Sequence, residues 1–475
     1  MIKFGTGGWR AIIGEDFTKD NVCLLAQGIA DLVKQHAAKA QKTDPYFILG
    51  FDRRFLSDKA AKWMAEVLAG NDIKIYFIKQ VAPTPLVMYT VKKMEAPFGA
   101  TITASHNPAD YNGVKLFTAG GRDAKEDVTT LLESLIAKVD PQAIRRLDFE
   151  EAKAQNRIEI IDPFNDYIDT ILGMIDTEAI KRRKLRIVLD PMYGVSKTSL
   201  QTILVTTRCE VMVIHDRHDT LFGGRLPSPT THTLHRLRNT VVENGFDLGI
   251  GTDGDADRIG IINEQGDFIA PNQILALLYY YLLRYKGWTG GVVRNLSTTH
   301  LLDAIARDFG EECYEVPVGF KHISAKMEET NALIGGESSG GLTIRGHIPG
   351  KDGIFAASLL IEALSITEKS VSELLAEIEA KYGAYHMAEK NISFPSAQKS
   401  ALMAKIFNRQ NLPDFGLKIA RISDFDGLKI YFESGEWISI RFSGTEPLLR
   451  IYAEADSEKS STALCNIMTG YLGLE

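Results

Sequence analysis

Cysteine is scarce: the 475-residue chain has four, Cys23, Cys209, Cys313 and Cys465, far apart, with no CxxC pair and no neighbouring histidine at ligand spacing. That argues against a disulfide framework and a zinc site, and leaves reduced, mostly buried thiols as the expectation. Long apolar runs are missing too. The most apolar stretch, Ile274 to Leu283, closes at Arg284; it is about half the length that crosses a bilayer and reads as a buried helix. Nor is there an excess of positive charge, since 54 Lys and Arg against 61 Asp and Glu leave a formal charge of -7. Nucleic acid is therefore not an expected partner, although a local basic pocket for one or two phosphates is compatible with an acidic whole. Residues 1–10 hold no apolar run of signal-peptide length and no small-residue cleavage site. The chain is accordingly expected to be cytoplasmic, with no membrane partner.

What is present is rhythm. In the first third, Phe47 to Phe51, Ile73 to Ile78 and Phe98 to Thr103 read as strands, and Asp58 to Leu68 and Leu86 to Met94 as helices. The pattern restarts with Leu185 to Asp190 (strand), Val195 to Leu204 (helix), Glu210 to His215 (strand) and Asp247 to Gly251 (strand). It restarts again with Ile274 to Leu283 (helix), Gly291 to Arg294 (strand), Leu301 to Phe309 (helix) and Glu312 to Val316 (strand). Three successive β-α-β-α runs predict parallel or mixed sheets with helices on both faces. After about residue 385 four strands are joined by short turns, 417–422, 427–433, 437–442 and 448–453, and a last helix follows. The fold class expected is thus α/β, with three consecutive α/β domains of similar topology (1–155, 156–265 and 266–385) and a smaller C-terminal α+β domain (386–475).

Four loops carry chemistry. Thr103-Ala104-Ser105-His106-Asn107-Pro108 directly follows an apolar strand, the position where open α/β sheets place their ligand sites, so Ser105 is well placed to react. The Ser105–His106 pair also brings a hydrolase to mind, but adjacent residues rarely set a base against a nucleophile and no GxSxG elbow surrounds them. In Thr252-Asp253-Gly254-Asp255-Ala256-Asp257-Arg258 three carboxylates alternate between apolar runs. They would repel unless a hard cation sat among them, and oxygen-only ligands suit Mg²⁺. A calcium loop of EF-hand type is excluded because Arg258 holds the position that needs glycine and the flanks read as strands. The third loop, Gly335 to Gly341, offers Glu337 and Ser339 to sugar hydroxyls. In the fourth, Arg441-Phe442-Ser443-Gly444-Thr445-Glu446-Pro447, a guanidinium, two hydroxyls and a glycine turn can encircle one phosphate.

Taken in order, and with Gly5-Thr6-Gly7-Gly8-Trp9-Arg10 at the start, these motifs resemble the α-D-phosphohexomutase superfamily, which includes phosphoglucomutases and phosphomannomutases. The resemblance implies four domains around a central cleft and a phosphoserine at Ser105, flanked by His106. It implies Mg²⁺ held by Asp253, Asp255, Asp257 and an oxygen on Ser105, and Lys115 as the acid/base lysine. Arg10 and Arg258 would add positive charge beside the transferring group. Glu337 and Ser339 would hold the sugar, Lys321 and Lys351 would contact sugar or phosphate, and Arg441, Ser443, Gly444 and Thr445 would grip the phosphate that is not reacting. Glucose 1,6-bisphosphate is implied as activator and intermediate, and the enzyme as a monomer or homodimer.

Gly341 stands where the mannose-tolerant bacterial branch commonly has histidine, and Val318 to Lys321 and Gly346 to Gly353 look closer to glucose-type enzymes. Ser228 departs from the family's usual acidic residue in the turn Gly223 to Pro229. The expected activity is phosphoglucomutase-type, with phosphomannomutase or another phosphohexomutase specificity as the alternative. A non-catalytic phosphosugar-binding protein and a metal-dependent phosphatase are the readings from other classes.

Overall fold

In the computed structural model the described residues are 2–5, 8–41, 44–408, 411–442 and 448–474. They form two compact units, residues 1–278 with 339–373, and residues 279–338 with 374–475.

The first unit holds two sheets. In one, the strand order is Trp9–Ile12, Tyr111–Thr118, Phe98–Ile102, Tyr46–Phe51, Lys74–Ile78 and Ile158–Ile161, with the short strand Arg122–Asp123 on Tyr111–Thr118. The three central pairings from Phe98–Ile102 to Ile158–Ile161 are parallel, while Tyr111–Thr118 runs antiparallel to both its neighbours. Every residue of Phe98–Ile102 is buried, as expected of an apolar strand covered on both faces. Helices Lys19–Lys39, Ser57–Gly70, Thr84–Lys93 and Glu126–Ile136 supply the cover. The first is started by Thr18, whose hydroxyl accepts the Asn21 N–H at 3.2 Å. Thr84–Lys93 begins two residues before the expected Leu86, because Pro85 fits a first turn, where its missing N–H costs nothing.

The second sheet has the order Phe268–Ile269, Ile259–Ile262, Leu248–Thr252, Arg186–Asp190 and Glu210–Val213. Leu248–Thr252 pairs parallel with Arg186–Asp190 and antiparallel with Ile259–Ile262, so residues 253–258 form the hairpin turn between them. One boundary differs from the sequence reading. The strand Ile158–Ile161, expected beyond the first domain, is the edge of the first sheet because it pairs with Lys74–Ile78. Residues 339–373 group with the first unit, where helix Gly353–Thr367 packs on Thr177–Arg183.

The second unit combines the parallel strands Cys313–Val316, Val292–Asn295 and Ile334–Gly336 with an antiparallel sheet. That sheet runs His386–Ser393, Leu448–Ala455, Trp437–Phe442, Leu428–Phe432 and Ile419–Ser423, backed by helix Glu458–Leu472. The two are joined by buried charge. The Lys429 ammonium donates to Glu315 at 2.8 Å and to the Leu296 carbonyl at 2.6 Å, and Arg294 donates to Glu315 at 2.6 Å and to Asp303 at 2.8 Å. Burial, then the neighbouring Arg294, pulls Lys429 down to about 7 despite Glu315.

The four cysteines are free, three buried and Cys313 half-buried. The apolar run 274–283 lies buried in helix Pro271–Arg284, and no helix of the described residues is long and apolar enough to cross a membrane.

Candidate active site

Ser105 lies three residues beyond the carboxyl end of Phe98–Ile102, an interior strand of the first sheet. Its backbone takes φ +52°, in the left-handed region that a side chain disfavours, and its side chain is fully buried. From there Oγ reaches Asp253 Oδ2 at 2.9 Å, and His106 Nδ1 stands 3.4 Å from the same Oγ. The charge of Arg258, burial, and the charges of Arg10 and Lys351 hold the His106 imidazole well below its usual range, so it stays neutral.

The hairpin turn after Leu248–Thr252 delivers the three aspartates. Asp253 Oδ1 accepts the N–H groups of Asp257 and Arg258 at 3.0 and 3.1 Å, which curls the turn and leaves Oδ2 for Ser105. Asp255 Oδ2 accepts from the Thr84 hydroxyl and from the Lys115 ammonium, both at 2.6 Å. Asp257 Oδ2 accepts from Lys115 at 2.8 Å and lies 3.3 Å from the Lys351 ammonium. One carboxylate oxygen from each aspartate falls within 4.8 Å of the others, and Oδ1 of both Asp255 and Asp257 is buried without a hydrogen bond.

Two buried, unsatisfied carboxylate oxygens beside a third carboxylate are a high-energy arrangement for protein alone and a fitting one for a small hard dication. The electrostatics agree: burial, then the charges of Asp257 and Asp255, pushes the Asp253 carboxyl well above the usual range. Burial would raise Asp257 as well, but Lys115, Lys351 and Arg258 outweigh it and hold that group well below. Gly254 permits the close approach of the two loops, since a Cβ there would stand 2.7 Å from the Ser105 carbonyl oxygen.

The remaining cations converge on the same place. Lys115 projects from the strand Tyr111–Thr118, opposite Thr101 in the register. Arg10, on Trp9–Ile12, donates to Asn107 Oδ1 at 2.6 Å, and Arg258 Nε lies 3.8 Å from Asp257 Oδ1. Lys351 precedes Asp352, whose Oδ1 caps helix Gly353–Thr367 through Ile354 N and Phe355 N, while Oδ2 accepts from Tyr167 and bonds His347. Ser105, His106, Lys115, Arg10, Arg258, Lys351 and the aspartates thus share the first unit, and Ser339 opens that unit's second segment.

In the second unit, Glu337 is buried just past Ile334–Gly336, and Lys321 sits in the first turn of Phe320–Thr330. Arg441 Nε donates to Asp426 at 3.0 Å, and the other oxygen of Asp426 accepts Val318 N–H at 2.8 Å. Ser443, Gly444 and Thr445 lie outside the described residues. Sequence reasoning missed Arg54 and Thr84, which hold the loops of Ser105 and Asp255. Arg54 was open to discovery by the rule that singled out Ser105, because it follows the carboxyl end of an apolar strand, Tyr46–Phe51.

Comparison with known proteins matches the phosphoglucomutase/phosphomannomutase α/β/α domain I over residues 1–143, domain II over 165–266, domain III over 270–382 and the C-terminal domain over 371–469. The chain is 31% identical over 458 residues to a phosphoglucomutase/phosphomannomutase of Thermococcus kodakarensis, covering 96% of this chain and 95% of the relative. It is 27% identical to a phosphoglucosamine/phosphogalactosamine mutase of Sulfurisphaera tokodaii, covering 98% and 97%. The fold is shared with the crystal structure of the phosphoglucomutase parafusin from Paramecium in its open form, with TM-score 0.83, 22% identity and coverage of 99% and 94%. Four consecutive family domains over nearly the whole length, together with the serine and aspartate loops described above, establish that this chain belongs to the phosphoglucomutase/phosphomannomutase family of the α-D-phosphohexomutase superfamily.

Proposed function

We propose that the protein is a phosphoglucomutase-type enzyme, interconverting hexose 1-phosphate and hexose 6-phosphate through a phosphorylated Ser105. The observation that carries this reading is Ser105 Oγ, buried at 2.9 Å from Asp253 beside two carboxylate oxygens without a hydrogen bond. In the first step a free hydroxyl of the sugar phosphate attacks the phosphorus on Ser105 and the P–Oγ bond breaks, giving a hexose 1,6-bisphosphate. One proton moves, net, from that hydroxyl to Oγ, and Lys115, seated between Asp255 and Asp257, is the proposed relay. After the bisphosphate turns over, Oγ attacks the other phosphate and the cycle closes with the phosphate moved.

Asp253, Asp255 and Asp257, with an oxygen on Ser105, would hold Mg²⁺, which when bound supplies charge neutralisation at the phosphoryl oxygens. Arg10 and Arg258 add fixed positive charge, the main protein contribution that phosphoryl transfer asks for. His106, whose Nδ1 stands 3.4 Å from Ser105 Oγ, is proposed to hydrogen-bond there. Glu337 and Ser339 are proposed for the sugar hydroxyls, Lys321 and Lys351 for sugar or phosphate, and Arg441, Ser443, Gly444 and Thr445 for the phosphate at rest.

Glucose is the proposed sugar because Gly341 offers no side chain where mannose-tolerant relatives commonly carry histidine. Glucosamine is the second reading, favoured by the similarity to a phosphoglucosamine/phosphogalactosamine mutase. Rates with glucose, mannose and glucosamine 1-phosphates, each with trace bisphosphate as activator, test the proposal. The highest kcat/KM with glucose 1-phosphate is expected. A higher value for another sugar would move the specificity, and free inorganic phosphate as the only product would defeat the mutase reading.

A further inference from the structure

Arg54 is buried, 3% exposed, in the segment that follows the strand Tyr46–Phe51. Its two terminal nitrogens donate to four main-chain carbonyls of one loop. Nη2 reaches Ser105 O at 2.7 Å and Asn107 O at 2.6 Å, and Nη1 reaches Pro108 O at 2.7 Å and Tyr111 O at 3.0 Å. A planar guanidinium presents its donors in fixed directions, so these four bonds define where the loop's carbonyls lie.

The amide side of Ser105 leads back to the same segment. Ser105 N–H donates to Thr103 Oγ1 at 2.9 Å, and that hydroxyl donates to Asp52 Oδ2 at 2.6 Å. Asp52 is the counter-charge of Arg54, 3.6 Å from its Nε, and its other oxygen accepts Arg54 N–H and the Ser57 hydroxyl. The ring of Phe222 lies 4.9 Å from the guanidinium carbon. The Ser105 carbonyl is thus held by Arg54 directly and its N–H by Asp52 through Thr103, and Ser105 is the loop residue that takes φ +52°. A left-handed conformation on a residue other than glycine persists only where its surroundings impose it.

We propose that Arg54, backed by Asp52, is the positioning residue that imposes this conformation on Ser105 and so aims Oγ at Asp253 for both phosphoryl-transfer steps. The inference rests on Ser105 being the residue that carries the phosphoryl group. Arg54 donates to main-chain carbonyls, not to Ser105 Oγ, and is buried, so its loss acts on the chemical step and leaves substrate binding nearly intact. Lysine is no substitute, since one ammonium has three donors and no fork with which to hold four carbonyls.

The test uses the full chain with Mg²⁺ and compares Arg54→Lys, Arg54→Met and, as a control, Arg53→Met, whose guanidinium bonds only the Asp216 and Arg217 carbonyls among the contacts at this segment. Thermal unfolding, kcat, KM and transfer of label to Ser105 from radiolabelled glucose 1,6-bisphosphate, which leaves as the monophosphate, are read for each. Both Arg54 variants are expected to lose about 100-fold in kcat, as an ångström-scale misplacement of a reacting group does. KM should stay within about threefold, and label uptake should slow in the same proportion as kcat. The Arg53 variant should match the parent protein.

A folded Arg54→Lys or Arg54→Met with parental kcat overturns the inference, as does a loss confined to KM. If both Arg54 variants fail to fold, Arg54 is a support of the domain and the narrower positioning claim fails. Ser105→Ala separates the two levels: an active Ser105→Ala defeats the functional reading, whereas an inactive Ser105→Ala beside a fully active Arg54→Lys defeats only the role given to Arg54.

Discussion

A single methyl group placed on Gly254 tests whether the serine and aspartate loops must approach as closely as they do. Gly254 lies between Asp253 and Asp255, and a Cβ there would meet the Ser105 carbonyl at 2.7 Å, where ordinary contact begins at 3.4 Å. The carbonyl must therefore retreat by about 0.7 Å. Withdrawal of the aspartate loop in the other direction is resisted by two bonds, Gly254 N–H to Pro227 O at 3.1 Å and Val195 N–H to Gly254 O at 3.3 Å. Gly254→Ala removes no functional group and needs no left-handed backbone, since Gly254 has no positive φ.

A misplacement of this size costs about 10–100-fold in rate if Ser105 and the carboxylates act together, since roughly 1 Å can cost 10²-fold. Overpacking of a tight contact should lower stability by about 1–3 kcal/mol. The assay is conversion of glucose 1-phosphate coupled to oxidation of the 6-phosphate, with calorimetric unfolding of the same sample. A Gly254→Ala protein with kcat within threefold of the parent would refute the reasoning, because the two loops would then tolerate separation without consequence.

Magnesium should stabilise the protein independently of any turnover. At about 100 times its Kd it should add roughly 2.7 kcal/mol, read as a rise in Tm that EDTA reverses and Asp255→Asn abolishes. Lys115→Met should lower kcat by about 10²–10⁴-fold. It should also cost the metal-free protein about 3 kcal/mol by breaking buried ion pairs, a loss that Mg²⁺ recovers in part, and thermal unfolding with and without the ion reads both. In the second unit, burial pulls the Lys429 ammonium from its ordinary 10.5 down to about 7 in the folded chain. The unfolded chain thus binds more protons between those values, and stability should rise with pH there, by about 2 kcal/mol from pH 7 to 9 relative to Lys429→Met. Denaturant unfolding at the two pH values measures it, and equal slopes in the two proteins would show that Lys429 titrates normally.

The elements that position the site were legible where their signal was local. Phe98 to Thr103 is uncharged and buried throughout because both faces are covered, and the three aspartates were visible because they alternate within one short loop, which the structure shows to be a hairpin turn. What escaped was whatever depends on distant partners. Arg54 meets a loop more than fifty residues away, and Thr84 meets Asp255 171 residues on; beyond the place of Arg54 after an apolar strand, nothing local names either partner. The strand Trp9–Ile12 and helix Lys19–Lys39 were not anticipated either. The strand is four residues long and is defined by its pairing with Tyr111–Thr118, which no local pattern encodes. The early start of Ile158–Ile161 in the first sheet has the same cause, since half-exposed Ile-Glu-Ile-Ile fits any sheet edge until Lys74–Ile78 offers one.

The central claim is that one serine carries the phosphate. Incubating the Mg²⁺-loaded protein with radiolabelled glucose 1,6-bisphosphate, digesting it and locating the label tests this directly. The account predicts label on the peptide containing Ser105, at up to one phosphate per chain, and neither label nor turnover in Ser105→Ala. Label on another residue, or normal turnover by the alanine variant, would contradict it.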